Sequence, residues 1–235
     1  MSQTPLIFVD FDGTISNDDT TDLILQRLAD PSWVDVEDAW QRGEIGSREC
    51  MAAQVGLLRA TPETFAQVVA EITIDPGFMA FERFCREHAM PMAVLSDGLD
   101  IVAEAVLARH GISLPVLSTH LAWQGGDRWH LSFPHAQPGC SSAAGNCKCH
   151  RLTAARDDRA GPQVLIGDGR SDFCVATEAD VVFAKGKLAA HCGECGIPYF
   201  AFTGFDDLLP TFEAWLMEAK GQIAIPAPPH QLATR

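Results

Sequence analysis

Five short apolar runs, each stopping abruptly at polar or glycine residues, constrain the fold of this chain more than any other feature. Leu6–Val9 gives way to Asp10, Met92–Leu95 to Ser96-Asp97-Gly98, and the run in "QVLIGDGRSD" to Gly167-Asp168-Gly169, with "PVLST" and "ADVVFAKG" as the other two. Apolar runs without alternation suit strands covered on both faces, as in parallel sheets. Helical patterns lie between several of them, in "MAFERFCREHA", "IVAEAVLARHG" and "SDFCVATEA". Strands alternating with helices argue for an α/β fold built on a doubly wound parallel sheet. At 235 residues the chain is long enough to bury the core of such a sheet.

Between residues 16 and 74 the strand signal disappears. "TTDLILQRLA", "VEDAWQRGE", "SRECMAAQVGLLR" and "PETFAQVVAEI" read instead as amphipathic helices, so a helical insert is expected directly after the first strand. The predicted organisation is an α/β core of 1–15 and 75–224 interrupted by a cap of 16–74. In "THLAWQGGDRWHLSF" alternation breaks at Gly125 and Gly126, which predicts a β-hairpin. The Pro-rich segment 225–235 is expected to be disordered.

Charge narrows the partners. Lys and Arg total 17 against 31 for Asp and Glu, a formal net charge of -14, which argues against nucleic acid and against anionic membrane surfaces. No apolar stretch is long enough to span a bilayer and no basic, then hydrophobic, leader opens the sequence, so a cytoplasmic protein is expected. In that setting the eight cysteines are expected as free thiols, with a zinc site on Cys140, Cys147 and Cys149 or on Cys192 and Cys195 as the less favoured reading. His120, His130 and His135 are expected as surface or packing residues.

Ligands of open α/β sheets bind beyond the carboxyl ends of the strands. Asp10 and Asp12, Ser96, and Asp168 and Asp172 all follow apolar runs and so belong at such ends. Asp10 and Asp12 flank Phe11, and on an extended strand they would point to opposite faces. Both serve one site only if the chain bends there. Several carboxylates in one cleft repel one another unless a hard cation joins them, and oxygen ligands of this kind with a phosphorylated substrate suit Mg²⁺.

Asp10-Phe11-Asp12-Gly13-Thr14, Ser96, Lys148 and Gly167-Asp168-Gly169-Arg170-Ser171-Asp172 resemble, in order, the four motifs of the haloacid dehalogenase-like phosphohydrolases. The resemblance implies that Asp10 is a nucleophile that takes up the phosphoryl group and Asp12 the general acid and base. It implies Mg²⁺ held by Asp10, Asp168 and the backbone carbonyl of Asp12, with Asp172 in support. Ser96, with Asp97 and Gly98, would hold the phosphoryl oxygens, and Lys148 would neutralise charge during transfer. These roles make chemical sense: a carboxylate attacks a phosphate dianion only when cations offset their repulsion, and a second carboxyl can protonate the leaving alkoxide.

The cap resembles that of the phosphoserine-phosphatase-like branch. Where that branch carries a glutamate for the substrate amine and an arginine for its carboxylate, this chain aligns Asp19 and Gln54, and Gln54 has no charge to offer a carboxylate. "DPSWVDVEDAW", "SFPHAQPGC" and "NCKCHRL" are similar to segments of the methionine-salvage phosphatases of the family, which implies a methylthiopentenyl phosphate ester as substrate. Met51, Leu57 and Leu58 could line a pocket for its apolar end, although such spacing usually serves cap packing. A phosphoserine phosphatase, a phosphotransferase using the same phosphoaspartate, and a non-catalytic binding module are the rival expectations.

Overall fold

The computed structural model describes residues 4–140, 142–158 and 161–219. The expected disordered segment 225–235 lies outside them. Seven strands form a mostly parallel sheet, as the apolar runs predict, and the chain divides into two compact units.

The first unit comprises 1–10, 75–93 and the chain from Lys148 on. Its strands are β1 (Leu6–Val9), β5 (Gln163–Gly167), β6 (Val181–Ala184) and the short β7 (Phe200–Ala201), paired in parallel in that order. Its helices are α5 (Phe78–Glu87), α7 (Lys148–Asp158), α8 (Phe173–Ala176), α9 (Gly186–Cys195) and α10 (Phe205–Ala219). β5 is buried at every position, which explains why it reads as a continuous apolar run. Phe78, Phe81, Phe183, Phe205 and Phe212, all fully buried, form an aromatic core in which Phe81 meets Phe212 edge-on at 5.2 Å. The helix expected over "SDFCVATEA" splits into a 3₁₀ turn at Arg170–Asp172 and the four residues of α8. Asp172 is committed to the Gly169 N–H, so the chain turns tightly before the helix begins.

The second unit comprises 11–74 and 94–147. It holds α1 (Thr20–Leu28), α2 (Trp33–Gln41), α3 (Ser47–Gly56) and α4 (Pro62–Glu71), α6 (Asp100–Arg109), and strands β3 (Val116–Gly125) and β4 (Arg128–Ser132). Most of β2 (Met92–Leu99) belongs to it as well. The four helices expected between residues 16 and 74 appear where the amphipathic pattern places them. α1 starts on an Asp19 carboxylate that accepts the Asp22 N–H at 3.0 Å, and α4 on Thr61 followed by Pro62. "PVLST" and the hairpin prove to be continuous: β3 runs parallel to β2 through Thr119, with an irregularity after Leu117, and antiparallel to β4 from His120 on. Trp129 of β4 donates its indole N–H to the Ala60 carbonyl and packs on Phe65 of α4 at 4.6 Å. The Arg109 guanidinium, at the end of α6, holds the Val69, Ala70 and Ile72 carbonyls at the end of α4. These contacts join α4 to the hairpin and to α6.

Candidate active site

In the first unit, three of the acidic residues singled out from sequence converge. The Asp10 N–H donates to the Ile166 carbonyl at 2.9 Å, extending the β1–β5 ladder by one residue, and Asp168 directly follows β5. Both therefore sit at the carboxyl ends of neighbouring strands. Carboxylate oxygens of Asp10, Asp168 and Asp172 lie within 4.8 Å of one another. Gly167 must be glycine, because a Cβ there would collide with the Asp172 carboxylate.

Lys148 is the counter-charge of this cluster. Its ammonium donates to Asp10 Oδ1 at 2.8 Å, to Asp172 Oδ1 at 2.7 Å and to Ser171 Oγ at 3.0 Å, while the residue is only 1% exposed. The three donor hydrogens of an ammonium match these three acceptors. A buried charge is tolerated only when so paired, and the lysine at the start of α7 is thus a fixed element of the cluster rather than a solvated side chain.

The second unit builds a different kind of carboxylate site. After β1 the chain bends through Phe11–Ile15, with Gly13 at φ +71°, a left-handed conformation that favours glycine. Asp12 Oδ1 accepts the Thr20 N–H at 2.9 Å and the Thr20 hydroxyl at 2.5 Å, and Asp12 Oδ2 accepts the Ser96 hydroxyl at 3.1 Å. Ser96 Oγ in turn accepts the Gly98 N–H at 2.8 Å. A Cβ at Gly98 would run into the Asp12 carboxylate and the Ser96 hydroxyl, so only glycine lets this loop approach Asp12. Asp97 accepts the Asn146 N–H at 3.2 Å.

Asp19, at the start of α1, is exposed along one side, yet surrounding protein strips water from its carboxyl and pushes it up to about 7. The negative charges of Asp12 and Asp22 add to this, against the Asp22 and Thr21 N–H groups. Water on the open side works against the full shift. Gln54 is buried and donates its amide to Glu37 Oε2 of α2 at 3.0 Å, so it is engaged in joining α3 to α2. Of the three apolar candidates Leu58 is core, while Met51 and Leu57 are partly exposed. The Met51 sulfur lies 3.7 Å from the hydroxyl of Thr119, which also donates to the Gly98 carbonyl.

The cysteines are all unbridged, and among the described residues only Asp10, Asp168 and Asp172 form a group able to hold a metal ion. Burial pushes the Cys85 thiol up to about 12 and Cys192 up to about 11, as expected of packed free thiols. His120 pairs on the surface with Asp100 at 2.6 Å. Thr20, Thr119 and Asn146, which bond to Asp12, Gly98 and Ser96, have no signal in periodicity or composition, whereas Ser171, which accepts from Lys148, lies inside the motif "GDGRSD".

A bent strand end carrying two aspartates, a buried lysine and acidic residues after the next parallel strand define the class. Residues 7–177 match the model of the haloacid dehalogenase-like hydrolases, and the chain belongs to that family. Among curated relatives, the 2-hydroxy-3-keto-5-methylthiopentenyl-1-phosphate phosphatase of Bacillus velezensis is 26% identical over 96% of this chain and 100% of its own. The protein of that name from an Exiguobacterium species is 29% identical over 86% of this chain and 94% of its own. Among solved structures, a family hydrolase from Salmonella enterica serovar Typhi superposes with a TM-score of 0.71 at 20% identity, covering 89% of this chain and 71% of that one. A phospho-aspartyl intermediate analogue of phosphoserine phosphatase gives 0.68 at 17% identity, covering 90% and 99%. At these identities the structural likeness establishes the fold.

Proposed function

We propose that this hydrolase is a Mg²⁺-dependent phosphatase that cleaves a small phosphate monoester through a phosphoaspartate on Asp10. The observation that carries the reading is the buried Lys148 ammonium held 2.8 Å from the Asp10 carboxylate. A carboxylate nucleophile needs a fixed cation to approach a phosphate dianion, all the more in a chain of net charge -14. Asp10, Asp168 and Asp172 together suit a hard divalent cation, because three carboxylates converge, the Lys148 ammonium pairs with Asp10 and Asp172, and all donors are oxygen. The Asp12 carbonyl is the further ligand that the family resemblance implies. When bound, Mg²⁺ supplies the remaining neutralisation of the phosphate charge.

In this reading an Asp10 oxygen forms a bond to phosphorus as the ester P–O bond breaks, and the Asp12 carboxyl gives its proton to the departing alkoxide. Asp12 then takes a proton from the water that attacks the phosphoaspartate, releasing inorganic phosphate and restoring Asp10. Chain connectivity keeps their Cα atoms within about 7 Å, and the bend after β1 lets both carboxylates serve one phosphorus. Ser96 and the Gly98 N–H receive the phosphoryl oxygens, and α1–α4 act as a lid over the leaving group.

The substrate we infer is uncharged and apolar beyond its phosphate, in line with the methylthiopentenyl esters named for the relatives. Gln54, occupied by Glu37, offers no cation to a serine carboxylate, and an unpaired charge in a desolvated site is costly. The test is phosphate release with Mg²⁺ from the methylthiopentenyl ester and from phosphoserine, with Asp10→Asn as control. Wild-type preference for the first ester is expected, together with a loss on the order of 10⁴-fold or more in Asp10→Asn. A preference for phosphoserine overturns the substrate, and an active Asp10→Asn variant overturns the nucleophile.

A further inference from the structure

The loop that carries Ser96 is an interruption of a parallel ladder. Leu95 pairs with Leu117 and Leu99 with Thr119, so Ser96, Asp97 and Gly98 on β2 stand opposite Ser118 alone on β3. Such a bulge turns peptide groups out of the ladder, and groups buried there need other partners. Two buried side chains supply them. Asn146, 0% exposed, donates its amide to the Ser96 carbonyl at 2.9 Å and to the Leu117 carbonyl at 2.6 Å, one on each strand. Thr119, also 0% exposed, donates its hydroxyl to the Gly98 carbonyl at 2.6 Å.

Resting on the phosphatase reading above, we propose that Asn146 and Thr119 are positioning residues for phosphate: a clamp that holds the Ser96–Gly98 bulge in its anion-binding shape. The clamp fixes the loop at both ends, at the Ser96 carbonyl and the Gly98 carbonyl, with the Ser96 hydroxyl on Asp12 and the Gly98 N–H on Ser96 Oγ. Asn146 is held firmly in turn. Its N–H donates to Asp97, and its neighbour Gly145 lies so close to Phe133 and Thr119 that a Cβ would not fit. Its Oδ1 is buried without a hydrogen-bond partner among the described residues, a cost that an apolar side chain of the same size would avoid. What the amide contributes is therefore its two donors. Neither residue touches the reacting atoms in this scheme. Both act through the loop, by fixing the backbone that carries the Ser96 hydroxyl and the Gly98 N–H for a charged ligand.

The experiment compares wild type with Thr119→Val, Thr119→Ser and Asn146→Leu. It measures inorganic phosphate binding by calorimetry in Mg²⁺ and turnover of para-nitrophenyl phosphate, with circular dichroism to confirm folding. Thr119→Val and Asn146→Leu should weaken phosphate binding and raise KM about tenfold or more, with a smaller change in kcat, while Thr119→Ser, which keeps the hydroxyl, stays near wild type. A merely structural role would lower the melting temperature and leave KM and phosphate affinity of the folded fraction unchanged. Folded Thr119→Val with wild-type phosphate affinity overturns the clamp, even if Asn146→Leu does not fold. A wild type that binds phosphate but releases none from any ester overturns the phosphatase reading and leaves the clamp standing when the variants bind more weakly. A wild type that binds no phosphate overturns both.

Discussion

Asp10 and Asp12 are two residues apart, yet their surroundings handle negative charge in opposite ways. Asp10 is 4% exposed and shares the Lys148 ammonium with Asp172, so its charge is met by a full positive charge. Asp12 is more open and among the described residues is met by neutral donors, the Thr20 N–H and hydroxyl and the Ser96 hydroxyl. The difference matches the division of labour proposed for them. A nucleophile must stay ionised and be shielded from the phosphate, which a cation achieves. An acid and base must gain and lose a proton within each cycle, and a fixed cation beside it would oppose protonation. The hydroxyls of Thr20 and Ser96 orient it and can donate or accept.

The comparison breaks most visibly at Lys148. Lys148→Met leaves Asp10 and Asp172 buried without their counter-charge, so the metal-free protein should lose about 3–5 kcal/mol in urea denaturation. Activity should fall roughly 10²–10³-fold. Added Mg²⁺ should recover part of that stability, because it would bind the same carboxylates in the folded state. Unchanged metal-free stability would show that the ion pairs do not hold this cluster.

Asp12→Asn probes the other half. It keeps the nucleophile and removes proton transfer, worth about 10²–10⁴-fold, so alkyl phosphates should suffer the full loss and aryl phosphates with acidic leaving groups much less in the first step. Rapid-quench measurement of the first turnover separates the two. Equal losses for both ester types count against proton transfer by Asp12.

The smallest expected effect concerns Asp19, which lies beside Asp12. Its carboxyl sits at about 7 in the folded protein against 3.8 ordinarily, so between these values the folded state keeps a proton that the unfolded chain has released. Stability should therefore fall as pH rises from about 4 to about 7. Asp19→Asn keeps a good helix cap and should flatten that slope, with a slightly higher melting temperature above pH 7. An unaltered slope in the variant would assign the dependence to other groups.

Much of this molecule is legible in its sequence because strands, helices and caps depend on neighbours along the chain. The run Leu6–Val9, the stop at Asp10, the bend at Gly13 and the four helices between Thr20 and Glu71 all follow from local pattern and turn chemistry. The carboxylates at the strand ends were legible for the same reason. α10 carried a readable apolar pattern in Phe205, Leu208, Phe212, Trp215 and Leu216, but Pro210 within it and the absence of a flanking strand signal hid the helix.

Tertiary structure decided the rest. Lys148 meets Asp10 across 138 residues of sequence, and Asn146 meets Ser96 across 50. No periodicity connects such positions. Resemblance places Gln54 at a substrate-contact position, and only its bond to Glu37 shows that its amide is engaged. Local propensity determines which segment becomes a strand or a helix, whereas the partner of a buried polar group depends on which segments the folded chain brings together. For that reason the sequence alone determined the two aspartates and the strand that delivers them, and the fold decided that one would be met by a cation and the other by hydroxyls.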